Sequence, residues 1–199
     1  MTRIKRLFAA GSAGNEQLTA MVAAVLLLLL GIETATLLQL RSLLTVHAFV
    51  GMLLIPLVAL KLASSGWRML RYYRRGEEYV RRGPQHVVLR VLVAPVLLLS
   101  TLVLFATGVA LLVLGQTEGT LVGLHKASFI VWAGAVGLHV LAHALKLAGV
   151  LRARVPGLAL RIALVNGALV GGALLAIATL PAADRLQDRA SAHVGFDER

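Results

Sequence analysis

The chain has 199 residues, 58% of them hydrophobic, with 20 Lys and Arg against 9 Asp and Glu. Its mean hydropathy of +0.83 excludes an ordinary water-soluble domain. The absence of cysteine excludes disulfides, thiolate metal centres, iron–sulfur clusters and a thioether-linked haem. The net charge of +11 does not signal nucleic acid, because most basic residues sit in short segments beside apolar runs, as membrane orientation requires.

Five stretches reach the roughly 20 apolar residues that cross a hydrocarbon core of about 30 Å. They predict an all-α membrane protein with helices over about 18–40, 43–66, 87–114, 121–148 and 158–180. Residues 1–17 form an N-terminal segment, 18–180 a five-helix transmembrane domain, and 181–199 a polar tail.

TRIKRLF precedes the first span and carries Arg3, Lys5 and Arg6. No small-residue cleavage site follows, so the first span reads as a retained helix. Glu33, Thr36 and Gln39 share one face of its far half. They suit either a quinol site, with Glu33 accepting a proton, or a buried hydrogen-bonded carboxyl.

The second span holds His47 four residues in, then Gly51, Pro56 and Lys61. A loop rich in arginine follows (Arg68, Arg71, Arg74, Arg75, Arg81 and Arg82). With Arg152 and Arg154 after the fourth span, the basic segments alternate, which predicts a cytoplasmic N-terminus and an external C-terminus in a plasma or inner membrane. His86 opens the third span at the inner boundary, and Pro56 and Pro95 are each expected to kink their helices.

The fourth span is the least ordinary, because LVGLHKASFIVWAGAVGLHVLAHAL carries His125, His139 and His143. Ionisable groups inside a bilayer are costly and point to function. His125 lies four residues into its helix, as His47 does into the second, and both helices run in the same direction. Each imidazole therefore sits about 6 Å below the outer boundary. Two imidazoles at one depth on two helices suit a bis-histidine haem standing between the second and fourth helices. His139 follows His125 by roughly 21 Å along the axis, and His143 by roughly 27 Å, on the same face. Gly51, Gly134 and Gly137 either make room for a flat ring or let helices pack closely. Arg41 and Lys126 flank the outer level and Arg68, Arg90 and Lys146 the inner one, as partners for carboxylates or as snorkelling cations. Arg161 and Asn166 of the fifth span either satisfy neighbouring groups or anchor the inner interface. The tail, mixed in charge and polar, reads as disordered.

With these residues in place the chain resembles the di-haem b-type membrane cytochromes, the group containing cytochrome b561 and the cytochrome b subunits of hydrogenases and formate dehydrogenases. The resemblance covers roughly residues 18–150 and rests on spacing and depth. It implies haem b, one or two copies, with iron ligands His47 and His125 at the outer level and His139 at the inner, with His143 or His86 as alternatives there. It also implies electron transfer between quinone and a redox partner protein, as one subunit of a homo- or hetero-oligomeric assembly in membrane lipid. The chain departs from the family at the inner end of the first span, where AGNEQLTAMV offers no histidine. A divalent-metal or proton transporter using His139, His143 and Glu33 is the other reading of the same residues.

Overall fold

The computed structural model describes residues 11–81 and 89–197, and every regular element among them is helical. The long helices are α1 (Gly11–Leu37), α2 (Leu44–Tyr73), α4 (Ala94–Leu114), α5 (Thr120–Arg152) and α6 (Leu158–Asp197). A short helix α3 (Glu77–Arg81) lies in the basic loop, and a π-helical turn (Leu89–Val93) leads into α4. Five helices are long and apolar enough to cross a membrane. Their surfaces fit that medium, since Leu141, Leu145, Ile130 and Val113 all point outward. Bare apolar surface on this scale is not tolerated in water.

Four of the five helices outrun the predicted spans. α1 starts at Gly11, α2 continues to Tyr73, α5 to Arg152 and α6 to Asp197. The apolar run marks what lipid covers, whereas the helix continues wherever the backbone has good helix formers and something to pack on. The expected disordered tail is the main correction. Pro181 stays inside α6, and AADRLQDRASA beyond it is strongly helix-forming. Ala183 and Leu186 are buried against Met52 of α2 and Leu112 of α4. The tail also closes a helix end. Leu43, at the start of α2, makes no side-chain cap, and the Thr45 backbone N–H donates instead to Gln187 Oε1 at 3.2 Å. Gln187 Nε2 donates to the Arg41 carbonyl, and Arg189 donates to the Gly115 carbonyl at 2.9 Å. One helical turn of α6 thus ties the α1–α2 connection to the end of α4.

At Pro95 the helix changes type. Proline has no N–H to give to the preceding turn, and the chain places it in the first turn of α4, just after the π-helical turn. Pro56, by contrast, lies within an unbroken α2.

α2 packs most extensively on α6 and then on α1, while α4 packs on α5. Two apolar cores hold the first group together. One joins Val22 and Leu26 of α1 to Val50, Leu54 and Leu57 of α2 and Val165 of α6. The other is the Met52–Leu112–Ala176 cluster below the tail. At Gly172 a Cβ would run into the Leu53 backbone, so α2 and α6 touch main chain to main chain. The α4–α5 pair is tied by Trp132 Nε1, which donates to Thr101 Oγ1 at 3.1 Å. Between the two groups, α2 and α5 scarcely approach in backbone. They face one another across side chains.

Polar ties gather at the basic-loop end. Asn15 Nδ2 donates to the Ser64 carbonyl at 2.8 Å, Lys61 Nζ to the Thr19 carbonyl at 2.9 Å, and Gln17 Nε2 to the Ala153 carbonyl at 2.8 Å. Arg161, buried, donates to the carbonyls of Val155 and Pro156. It holds the α5–α6 turn by satisfying neighbouring carbonyls.

Candidate functional site

His47 and His125 meet in the gap between α2 and α5. Their ring centres lie 6.5 Å apart and their planes stand at 85°. The equal depth inferred from sequence therefore brings the two imidazoles together in space.

Each ring is held through its Nδ1. On His47 this atom lies 2.9 Å from Glu33 Oε1 and 3.1 Å from Thr36 Oγ1. On His125 it lies 3.0 Å from Thr107 Oγ1 of α4. Gly108 backs the same ring, since a Cβ there would stand 3.1 Å from His125 Cε1. Among the described residues neither Nε2 has a hydrogen-bond partner. The site is half-buried, with side-chain exposures of 23% for His47 and 16% for Glu33.

The sequence reading placed Glu33, Thr36 and Gln39 on one face, and the structure divides them. Glu33 and Thr36 turn to His47. Gln39 falls beyond the end of α1, in the turn to α2, where its carbonyl accepts from Ser42 N and Leu43 N. Gly51 lies against the Glu33 carboxylate, 3.8 Å from Oε1 to where its Cβ would be. A Cβ at Gly134 or Gly137 would meet nothing within 4 Å, so neither glycine serves close helix packing. Thr107 and Gly108 went unnoticed in the sequence. A threonine and a glycine in a membrane helix carry no signal until α4 is known to lie behind α5.

The second level is arranged differently. His139 and His143 stack on one another along α5, with ring centres 4.5 Å apart and planes at 25°. His143 Nδ1 lies 2.8 Å from the His139 carbonyl, which keeps that ring on its own helix. Lys61 and Arg68 of α2 are close enough to act electrostatically on His139, but the Lys61 ammonium is turned to α1. His86 lies outside the described residues. No histidine from another helix faces His139 among the described residues, and no three His, Asp or Glu side chains among them gather as a bare metal ion requires.

The fold and the cleft define an all-helical chain with five membrane-length helices and a pair of apposed, Nδ1-anchored imidazoles between two of them. Comparison of the chain with family models, with curated proteins and with solved structures returns no match.

Proposed function

We propose that the chain is a b-type cytochrome that holds one haem between His47 and His125 and passes electrons within the membrane. The observation that carries this reading is the apposition of two imidazoles with Nδ1 engaged and Nε2 left open. Metal-bound imidazoles use one nitrogen for the metal and the other for an orienting partner. A metal–imidazole nitrogen distance is about 2 Å and the ring centre lies about 1 Å behind it, so two imidazoles on opposite sides of one metal have centres about 6 Å apart. The 6.5 Å separation is compatible with that requirement, and α2 and α5 scarcely approach in backbone.

The residues divide the work. His47 and His125 bind, Glu33 with Thr36 and Thr107 with Gly108 orient them, and Arg41 and Lys126, exposed at the same end, are the cations available to ring carboxylates. When bound, a haem supplies a one-electron couple, and two histidine ligands leave it no open coordination position. The function is therefore transfer between a quinone pool and a redox partner protein, as the family resemblance implies. The proposal stops at one haem, because the expected inner ligand His139 has no facing histidine among the described residues. The transporter reading has no comparable support.

The decisive measurement is an optical spectrum of the protein purified from membranes. A Soret band that sharpens on reduction, with distinct α and β bands, and one haem per chain are expected. A colourless protein after expression with ample haem, or one that binds no added haem, would sink the reading.

The orientation belongs to the same proposal. The alternating arginine clusters place the loop at Gly76 in the cytoplasm and Ser191 outside, which puts the His47–His125 level in the outer half. Reporter fusions at these two positions should therefore give opposite answers. The same answer at both would remove the five-crossing topology.

A further inference from the structure

The two histidines are anchored in chemically parallel ways. The Thr36 hydroxyl donates to the Glu33 carbonyl at 2.6 Å. The Thr107 hydroxyl donates to the Val103 carbonyl at 2.7 Å and shares the proton with the Leu104 carbonyl at 3.0 Å. A hydroxyl has one proton and two lone pairs. With that proton committed to its own helix, each threonine offers its histidine only a lone pair. That arrangement assigns a hydrogen to Nδ1 in both rings, on His47 shared with the acceptor Glu33 Oε1 and on His125 supported by Thr107 together with the Leu104 backbone carbonyl.

We infer that Thr36 and Thr107 are positioning residues that lock His47 and His125 as Nδ1–H tautomers and so leave both Nε2 lone pairs facing the α2–α5 gap. Free neutral histidine favours the other tautomer, with hydrogen on Nε2, which would close both rings to a metal. The lock is a property of the protein before any ligand arrives. Its use, pre-organising two axial ligands, rests on the cytochrome reading above. The two halves are unequal. His47 has a second acceptor in the Glu33 carboxylate and tolerates the loss of its threonine, whereas beside Thr107 His125 has only the Leu104 backbone carbonyl, which the Thr107 hydroxyl also engages.

The test uses the full-length chain, haem-free, with 15N-labelled histidine in lipid nanodiscs, followed by titration with hemin. In the wild type, 15N shifts should report Nδ1–H for His47 and His125, each assigned by the loss of its signal in the corresponding His→Ala variant. Thr107→Val keeps the side-chain shape and removes the acceptor. It should shift His125 measurably toward the Nε2–H form, the Leu104 carbonyl holding the remainder, and weaken hemin binding by up to about tenfold, the lower end of the range known for partners that orient metal ligands. Thr107→Ser should restore both. Thr36→Val should change hemin affinity less than threefold. Nε2–H or doubly protonated rings in the wild type, or a Thr107→Val variant with wild-type tautomer and affinity, would overturn the inference while leaving the cytochrome reading standing. Wild-type rings in the Nδ1–H form that take up no hemin would support the lock and sink the cytochrome reading instead.

Discussion

Replacing His125 or His47 by alanine should remove all of the bound haem that the cleft carries, reducing the reduced-minus-oxidised absorbance to background. Each ring contributes one of two ligands, and the described residues offer no third imidazole at this level to take its place. Glu33, the nearest titratable group, is already turned to His47 Nδ1 at 2.9 Å. The loss should be specific to the cofactor. Both rings are only partly buried, and each substitution removes hydrogen bonds of the kind worth about 1 kcal/mol apiece. The threonines left behind keep their backbone partners, but His47→Ala also strips the Glu33 carboxyl of its imidazole partner, its buried Oε2 having none, so His125→Ala is the cleaner of the two variants. Helix content by circular dichroism and the elution profile in detergent should stay as in the wild type. Haem-to-protein ratio is the measurement, and a full ratio retained in both variants would show that the iron lies elsewhere. The same assay on His139→Ala bears on the inner level. An unchanged ratio is expected there, because His139 is stacked on His143 of its own helix and faces no histidine from another helix among the described residues.

The outer level was legible because two independent constraints coincide in the sequence. Hydropathy sets where α2 and α5 begin, and each carries a histidine four residues from that point. The contact of Glu33 and Thr36 with His47 was half legible. A connection of a few residues forces α1 and α2 to be antiparallel neighbours, so the last turn of α1 must lie beside the first turn of α2. The sequence reading saw the shared face and left Glu33 as either a quinol site or a buried hydrogen-bonded carboxyl, without naming His47 as its partner. The parts contributed by α4 were not legible, because Thr107 and Gly108 acquire meaning only from which face of α4 meets α5. The tail misled for a different reason. Its polarity was read as disorder, while Ala183 and Leu186, three residues apart among helix formers, carried the periodicity of a packed helix. The apolar run ends near Pro181, but tertiary contact does not.

Adjacent glycines in α6 provide the sharpest test of how the bundle holds the cleft. Gly172→Ala should destabilise the protein by about 1–3 kcal/mol, the usual cost of forcing a methyl group into a filled space. Gly171→Ala should leave stability unchanged or raise it by up to roughly 1 kcal/mol through helix propensity. The difference lies in what each new methyl meets. At Gly171 nothing stands within 4 Å, whereas at Gly172 the methyl runs into the Leu53 carbonyl oxygen, with the Leu53 carbonyl carbon at 3.1 Å and Cα at 3.2 Å. Main-chain atoms in the middle of a helix cannot swing aside as a flexible side chain does, so α2 and α6 must separate. That opens both apolar cores at once, since Leu54 and Val165 belong to one and Met52 and Ala176 to the other. It also moves α2 where it carries His47, less than two turns before Leu53. Because α2 scarcely touches α5 in backbone, no other close main-chain contact on that side returns His47 to its place opposite His125. Thermal unfolding in detergent should show a lower midpoint for Gly172→Ala than for Gly171→Ala, and haem should be lost from the former at a temperature where the latter keeps it. Equal midpoints for the two variants would mean that α2 and α6 do not meet main chain to main chain. Haem retention that does not follow the midpoint would mean that His47 is held by the tail and α1 rather than by α6.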